Sequence, residues 1–215
     1  DAWVLSSETC ALDIIGAEFV REVENGEVII ATRDGLESHR FVPENAPRLC
    51  IFEYIYFARP DSIIDGRSVY DVRKAMGRQL ALEAPTDADV VVPIPDSGVP
   101  AAIGYAQESG LPFEFGIIRN HYVGRTFIEP EQQIRQLGVK LKHSANDLQV
   151  KEKRIVLIDD SVVRGTTSVK IVQMMREAGA KEVHMRISSP PITHPDFYGI
   201  DTPNQDKLLA ANRSL

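Results

Sequence analysis

The chain has 215 residues, 43% hydrophobic and 26% charged, which suits one or two globular domains with a substantial core. A formal charge of -7 argues against a nucleic-acid surface, because phosphate backbones are met by basic faces. There is no apolar run of membrane-spanning length, the start does not read as a signal peptide, and Cys10 and Cys50 are too few for a disulfide framework, so a cytoplasmic setting is expected.

Trp3-Val4-Leu5 reads as a strand, and Ser6-Ser7-Glu8 as the start of a helix through Ala11 to Ile15 that Gly16 closes. Glu24-Asn25-Gly26 turns into a strand over Val28-Ile29-Ile30. Residues 1–32 are too small for a domain, and a core-type Trp3 at the start reads as the remnant of a larger one. Residues 33–49 carry charges, two prolines and His39, and read as a connector with His39 exposed. The aromatic segment Cys50 to Ser62 is expected in the core, with Cys50, like Cys10, a small buried hydrophobe.

Ser68-Val69-Tyr70-Asp71 fits a capping box that opens a helix with Val69, Val72, Met76 and Leu80 on one face, bounded by Pro85. Ala88 to Ile94 reads as a buried strand, a helix runs from Pro100 to Gly110, and Phe113 to Ile118 makes the next strand, a βαβ unit. Between Arg119 and Lys153 hydrophobic periodicity is poor, which inside a compact domain marks a functional or disordered span. Arg119, Tyr122, Gly124, Arg125 and Thr126 are residue types suited to a lid over phosphates. Lys140, Lys142 and His143 read as a solvated basic loop.

The most informative stretch is Arg154 to Ala180. Ile155 to Ile158 is an unbroken apolar run, as in a parallel strand buried on both faces. It ends in Asp159-Asp160. Adjacent carboxylates repel, so water, hydroxyls or a divalent cation must sit between them. Arg164-Gly165-Thr166-Thr167-Ser168 then leads into a helix with Val169, Val172, Met175 and Ala178 in an apolar stripe, Ile171 and Met174 beside them, and Gly179 as its stop. A permissive glycine, three hydroxyls, one guanidinium and the unpaired amides of a helix start make a cradle for a phosphate monoester. Strand, acidic pair and cradle in that order describe a sugar-phosphate site.

With a strand over Val183 to Ile187 this is a second βαβ unit, so Asp96-Ser97-Gly98 and Asp159 to Ser168 lie on the same sheet edge, where ligands bind. Taken alone, Asp96-Ser97-Gly98 is an ordinary turn. Ser188 to Pro195 reads as a rigid turn with a structural His194, and Asn204 to Leu215 as a helix-like pattern without a terminator, suggesting truncation.

Val156 to Ser168, V-L-I-D-D-S-V-V-R-G-T-T-S, resembles the phosphoribosyl pyrophosphate (PRPP) signature of type I phosphoribosyltransferases, in the form found in the amidophosphoribosyltransferase family. P-I-P-D-S-G-V-P-A-A-I-G-Y-A from Pro93 and R-N-H-Y-V-G-R-T-F-I from Arg119 resemble that family's pyrophosphate loop and flexible loop. Trp3 to Val23 resembles the end of its glutaminase domain. The resemblance implies an α/β fold, a type I phosphoribosyltransferase-like parallel sheet flanked by helices, preceded by a fragment of an N-terminal nucleophile hydrolase. It implies a glutaminase remnant at 1–32, a connector at 33–49 and a phosphoribosyltransferase domain at 50–215, truncated at its C-terminus.

By the same resemblance Asp159 and Asp160 are catalytic, Ser161, Arg164, Gly165, Thr166, Thr167 and Ser168 bind PRPP, and Asp96, Ser97 and Gly98 face pyrophosphate. Arg119, Tyr122, Gly124, Arg125 and Thr126 form the lid, and Ser97, Asp159 and Asp160 are associated with Mg²⁺. The implied reaction joins ammonia to C1 of PRPP, giving 5-phosphoribosylamine and pyrophosphate, the first step of purine synthesis. A homo-oligomer with purine nucleotides as feedback inhibitors is implied as well. Glutamine hydrolysis is not expected, since that domain would use an N-terminal cysteine as nucleophile and this chain starts at Asp1 instead, with Cys10 internal. Some members bind an iron–sulfur cluster with a ligand at the place of Cys50, but Asp196 occupies another ligand position and no cluster is expected. A salvage nucleobase transferase and a non-catalytic PRPP-sensing regulator are the alternatives.

Overall fold

The computed structural model describes residues 2–42, 46, 48–120, 143–196 and 204–213. The chain divides into two compact units, Asp1–Tyr70 and Asp71–Leu215.

In the first unit, helix α1 (Thr9–Ile14) is held to residues 59–63 through its N-terminal side chains. The Glu8 carboxylate accepts from the Arg59 amide and the Ser62 hydroxyl, each at 2.8 Å, and the Thr9 hydroxyl accepts from the Ile63 amide at 2.8 Å. Cys10 is buried at this contact. Strands β1 (Glu27–Thr32) and β2 (Gly35–Arg40) form an antiparallel hairpin with Thr32 opposite Gly35. Part of the 33–49 connector is thus a paired strand; it was missed because its alternation is polar on both faces. Residues 2–5 carry no strand, and Trp3 is 52% exposed rather than core. A π-helical turn (Glu53–Phe57) buries Tyr54 and Ile55, but Cys50 just before it is exposed, against the expectation. Two short strands, β3 (Ile63–Ile64) and β4 (Arg67–Ser68), close the unit.

The second unit is built on a three-stranded parallel sheet of β5 (Val90–Pro93), β8 (Arg154–Asp159) and β9 (Glu182–Ile187), in that order, with β8 central. The apolar runs are continuous because both faces are covered. Val91, Val156 and Ile158 point one way, onto Ala101, Ala102, Tyr105 and Ala106 of helix α3 (Val99–Ser109) and Ala81 of helix α2 (Val69–Glu83). Val90, Val92, Ile155 and Leu157 point the other way, onto Ile171 and Met175 of helix α5 (Thr166–Glu177). Burying each such side chain contributes about 1.5–3 kcal/mol. On α5 the buried positions are Ile171 and Met175, four apart, whereas Val169, placed in the stripe from sequence, is 68% exposed.

The strand expected over Phe113 to Ile118 is divided. Phe113 makes a single parallel bridge to Val91, whose carbonyl accepts from the Glu114 amide at 3.0 Å. Beyond it the backbone presses against Val92 and Val150 at Gly116, and β6 (Ile117–Arg119) pairs antiparallel with β7 (His143–Ala145). Helix α4 (Asp147–Val150) leads back towards β8.

Helices α2 and α3 cross at backbone contact. A Cβ on Gly77 would fall on the Ala101 carbonyl, and one on Gly104 on the Lys74 carbonyl. This crossing matters for the site, because α2 carries Arg73 and α3 begins beside Ser97. Alanine gains about 1 kcal/mol over glycine within a helix, while an overfilled contact costs about 1–3 kcal/mol. Gly104→Ala should therefore destabilise the protein by up to about 2 kcal/mol, read as a lowered urea midpoint. A raised midpoint would mean that the helices have room at this crossing.

Candidate active site

The carboxyl ends of β5, β8 and β9 converge on the acid pair. Asp159 is the last residue of β8, and Asp160 follows as a buried charged residue. The chain leaving β9 wraps their backbone: the Ser188 amide donates to the Asp159 carbonyl at 3.0 Å and the Ser189 amide to the Asp160 carbonyl at 2.9 Å. The Ser188 hydroxyl lies 3.3 and 3.4 Å from the same two oxygens. These serines were read from sequence only as part of a rigid turn.

The two carboxylates are compensated unequally. The Ser161 hydroxyl donates to Asp160 at 2.5 Å, the nearby Ser97 side chain also favours its ionised form, and the Arg73 guanidinium adds a favourable charge. Burial outweighs all three, and the Asp160 carboxyl still lies above its usual range. Among the described residues, Asp159 accepts only the Asp160 amide, at 3.0 Å. Burial first, and then the neighbouring Asp160 charge, push its carboxyl up to about 7. The pair thus has a shortage of positive charge on the Asp159 side.

Arg73 is 4% exposed and was not singled out from sequence. Its signal was present: Val69, Arg73, Gly77 and Ala81 recur every four residues, so a guanidinium sits in the buried stripe of α2. A buried arginine needs an acidic partner, and the acid pair supplies one.

Asp96-Ser97-Gly98 does lie beside Asp159–Asp160. The Ile94 amide donates to the Ile158 carbonyl at 2.9 Å, and the Gly98 amide to the Ile94 carbonyl at 3.0 Å. Gly98 approaches β8 so closely that a Cβ would stand 2.5 Å from the Ile158 oxygen. The Pro95–Asp96 peptide is cis. Arg119, expected on a lid, lies at the end of β6 and pairs with Asp96. His143 is buried, with Nε2 3.3 Å from the Pro95 carbonyl, and so belongs under this loop and not to a solvated one. Tyr122, Gly124, Arg125 and Thr126 lie outside the described residues.

On the other side, Gly165 takes a left-handed conformation, φ +76°, at the N-cap of α5, where no side chain caps the first turn. Thr166 and Thr167 are exposed beside those amides, as is Arg164, while Ser168 is half-buried. Amides, hydroxyls and a guanidinium facing solvent at a helix start suit a phosphate group. Ser161 is turned instead towards Asp160.

Two carboxylates and a hydroxyl are hard oxygen donors, and their charge shortage fits Mg²⁺ at Ser97, Asp159 and Asp160. Among the described residues no group of three or more His, Cys, Asp and Glu side chains is placed to hold a metal ion.

A parallel α/β sheet with an acid pair and an uncapped helix start at the strand ends is an arrangement suited to a phosphorylated sugar. The chain belongs to the phosphoribosyl transferase domain family, whose profile matches residues 61–188, and its fold is the type I phosphoribosyltransferase fold. It is 68% identical over 212 residues to the amidophosphoribosyltransferase of Rhizobium etli, which covers 96% of this chain and 43% of that protein. Identity to the amidophosphoribosyltransferase of Bacillus subtilis is 54% over 215 residues, all of this chain and 45% of that one. A glutamine PRPP amidotransferase from B. subtilis, solved with ADP and GMP, superposes with a TM-score of 0.87 at 55% identity, over 97% of this chain and 46% of that one. The chain thus spans less than half the length of these relatives. Among the described residues no helix is long and apolar enough to cross a membrane.

The raised Asp159 carboxyl has a consequence for stability. A group that holds its proton more tightly when folded stabilises the fold fully below its unfolded value, near 4, and that stability is lost as pH rises through about 7. Without divalent cation or substrate, Asp159→Asn should therefore be more stable than the parent at pH 8, by about 2–4 kcal/mol. The gap should close towards pH 4. Urea unfolding at both pH values checks this, and a gap that widens on acidification would contradict the assignment.

Proposed function

We propose that this chain is the phosphoribosyl-transferring part of an amidophosphoribosyltransferase, joining ammonia to C1 of PRPP with release of pyrophosphate to give 5-phosphoribosylamine. One observation carries the proposal: the under-compensated acid pair Asp159–Asp160 lies between the uncapped amides of α5 and the Asp96–Gly98 loop. A pentose with phosphate groups at both ends has the matching pattern of charge. The names of the relatives, at 54–68% identity across this chain, support the choice of reaction.

In this mechanism the Arg164 to Ser168 segment holds the 5′-phosphate through amides, hydroxyls and the guanidinium. Asp159 and Asp160 accept from the ribose hydroxyls. As the C1–oxygen bond breaks, positive charge grows on the sugar, and two nearby carboxylates stabilise it. Arg73, Ser97 and Ser161 favour the ionised, oriented form of Asp160 needed for this. The Gly98 close approach holds the Asp96–Gly98 loop against the end of β8, which supports its assignment to the leaving pyrophosphate. Bound at Ser97, Asp159 and Asp160, Mg²⁺ would neutralise charge on the leaving group. The nitrogen lone pair of ammonia forms the new bond to C1, the pyrophosphate oxygen takes the electrons of the broken one, and the extra proton passes to solvent. Excluding water from C1 falls to the segment from Arg119 to Ile128.

Residues 1–32 are proposed to be the end of a glutaminase domain supplying the ammonia, with residues 33–49 leading to the transferase. The apolar side chains left bare in the first unit, Leu5, Ile14, Ile15 and Phe19 among them, are the kind of surface that the rest of such a domain would cover. We further propose a homo-oligomer, a cytoplasmic location, and purine nucleotides as feedback inhibitors. The nucleotide proposal is supported by the ADP and GMP of the B. subtilis structure.

The test is pyrophosphate release from PRPP with Mg²⁺ and ammonium salt. Release should require ammonium, and Asp159→Asn should lower it by at least a hundredfold while remaining folded. Release that requires a nucleobase would identify a salvage enzyme. PRPP binding with no release under either condition would leave a sensor.

A further inference from the structure

The phosphate cradle is braced by a segment far downstream in sequence. After the described residues resume at Asn204, a 3₁₀ turn (Gln205–Lys207) is followed by the short helix α6 (Leu209–Asn212). Leu208, between them, is fully buried and anchors the segment. The Asn212 side-chain amide shares its two hydrogens among the carbonyls of Gln205, Asp206 and Leu208, at 3.0, 3.0 and 2.8 Å, tying the two turns into one unit. From this unit the Leu209 amide donates to the Val163 carbonyl at 2.8 Å, in the middle of the cradle loop. The Leu209 side chain lies over Gly165, with a methyl 3.3 Å from where a Cβ would be.

These contacts act on the part of the loop whose shape decides where phosphate sits. Between Asp160 and Thr166 the backbone must turn from the end of β8 into α5, and Gly165 does so with φ +76°. The loop's own side chains do little to fix it: Ser161 is committed to Asp160 and Arg164 is exposed. The Leu209 amide is the first of α6, a position whose N–H has no partner within its own helix. Here that spare donor is spent on the cradle.

We propose that Leu209 is a positioning residue for the phosphate cradle: its amide and side chain hold Val163–Gly165 in the conformation that presents the first amides of α5 to the 5′-phosphate. The effect on turnover rests on the PRPP reading above; the bracing itself does not. Loosening the brace should weaken capture of the phosphate while leaving the acid pair, and so the chemical step, in place. A KM effect with kcat preserved is therefore the expected signature.

The local backbone offers a selective probe. Proline is well accepted at the first position of a helix, and Leu208 already has the extended conformation required before proline, φ -79° and ψ 124°. Leu209→Pro thus deletes the amide donor with little cost to α6, and Leu209→Ala keeps the donor while removing the side chain. In ammonium-dependent turnover, Leu209→Pro should raise the PRPP KM by about tenfold, the equivalent of one lost hydrogen bond. Leu209→Ala should raise it about threefold, with kcat within twofold of the parent for both. Independently of substrate, hydrogen exchange over residues 161–169 of the ligand-free protein should quicken in Leu209→Pro while exchange in β8 stays slow. Unchanged exchange over 161–169 would overturn the brace even if the parent protein failed to use PRPP. Faster exchange with an unchanged KM would overturn its role in phosphate capture. If the parent shows no PRPP-dependent release but exchange quickens as expected, the brace stands and the reading of the ligand fails.

Discussion

Two neighbouring carboxylates at the buried end of a strand impose the constraint that the rest of the second unit answers. Neither can shed its charge into water freely, and each raises the cost of ionising the other. The fold compensates one of them. Asp160 receives a hydroxyl from the next residue, a favourable influence from nearby Ser97, and the field of Arg73 from a helix on one face of the sheet. Asp159 receives one backbone amide. That inequality gives the site its direction, since the missing positive charge belongs on the Asp159 side, where a cation or a cationic sugar would supply it.

The compensating groups come from distant parts of the chain, and their relative placement depends on close backbone contacts. Arg73 and Ser97 belong to neighbouring elements whose distance is set where Gly77 and Gly104 let α2 and α3 touch. Gly98 repeats the device against β8 itself. At each of these places a single added carbon would move a neighbour of the acid pair, so the site's geometry is fixed by where side chains are absent as much as by where they are present.

Much of this could be read in the sequence. The unbroken run Ile155 to Ile158, the acid pair, and the glycine-hydroxyl segment at the start of α5 carry their meaning in consecutive residues, and strand, turn and helix follow in the expected order. What could not be read depends on partners far apart in sequence. Arg73 stands out only once its helix is known to face a carboxylate. Phe113 to Ile118 has the composition of one strand, yet the backbone leaves the sheet after one bridge because β7 offers a second partner. Trp3 and Cys50 were placed inside on residue type, and neither is buried in its unit. Val169 was placed in the helical stripe by spacing, but the buried stripe runs through Ile171 and Met175, and at about 100° per residue Val169 lies on another face of α5.

One detail of the β6–β7 pair reaches beyond the pair itself. Arg119 and His143 are register partners, so the chain departs and returns at a single point, and both residues are fastened to the loop at Asp96, one through its carboxylate and the other through the Pro95 carbonyl. Pairing at this one register position thus anchors the Asp96 loop through two residues far apart in sequence, so a slip of β7 against β6 would loosen both fastenings at once.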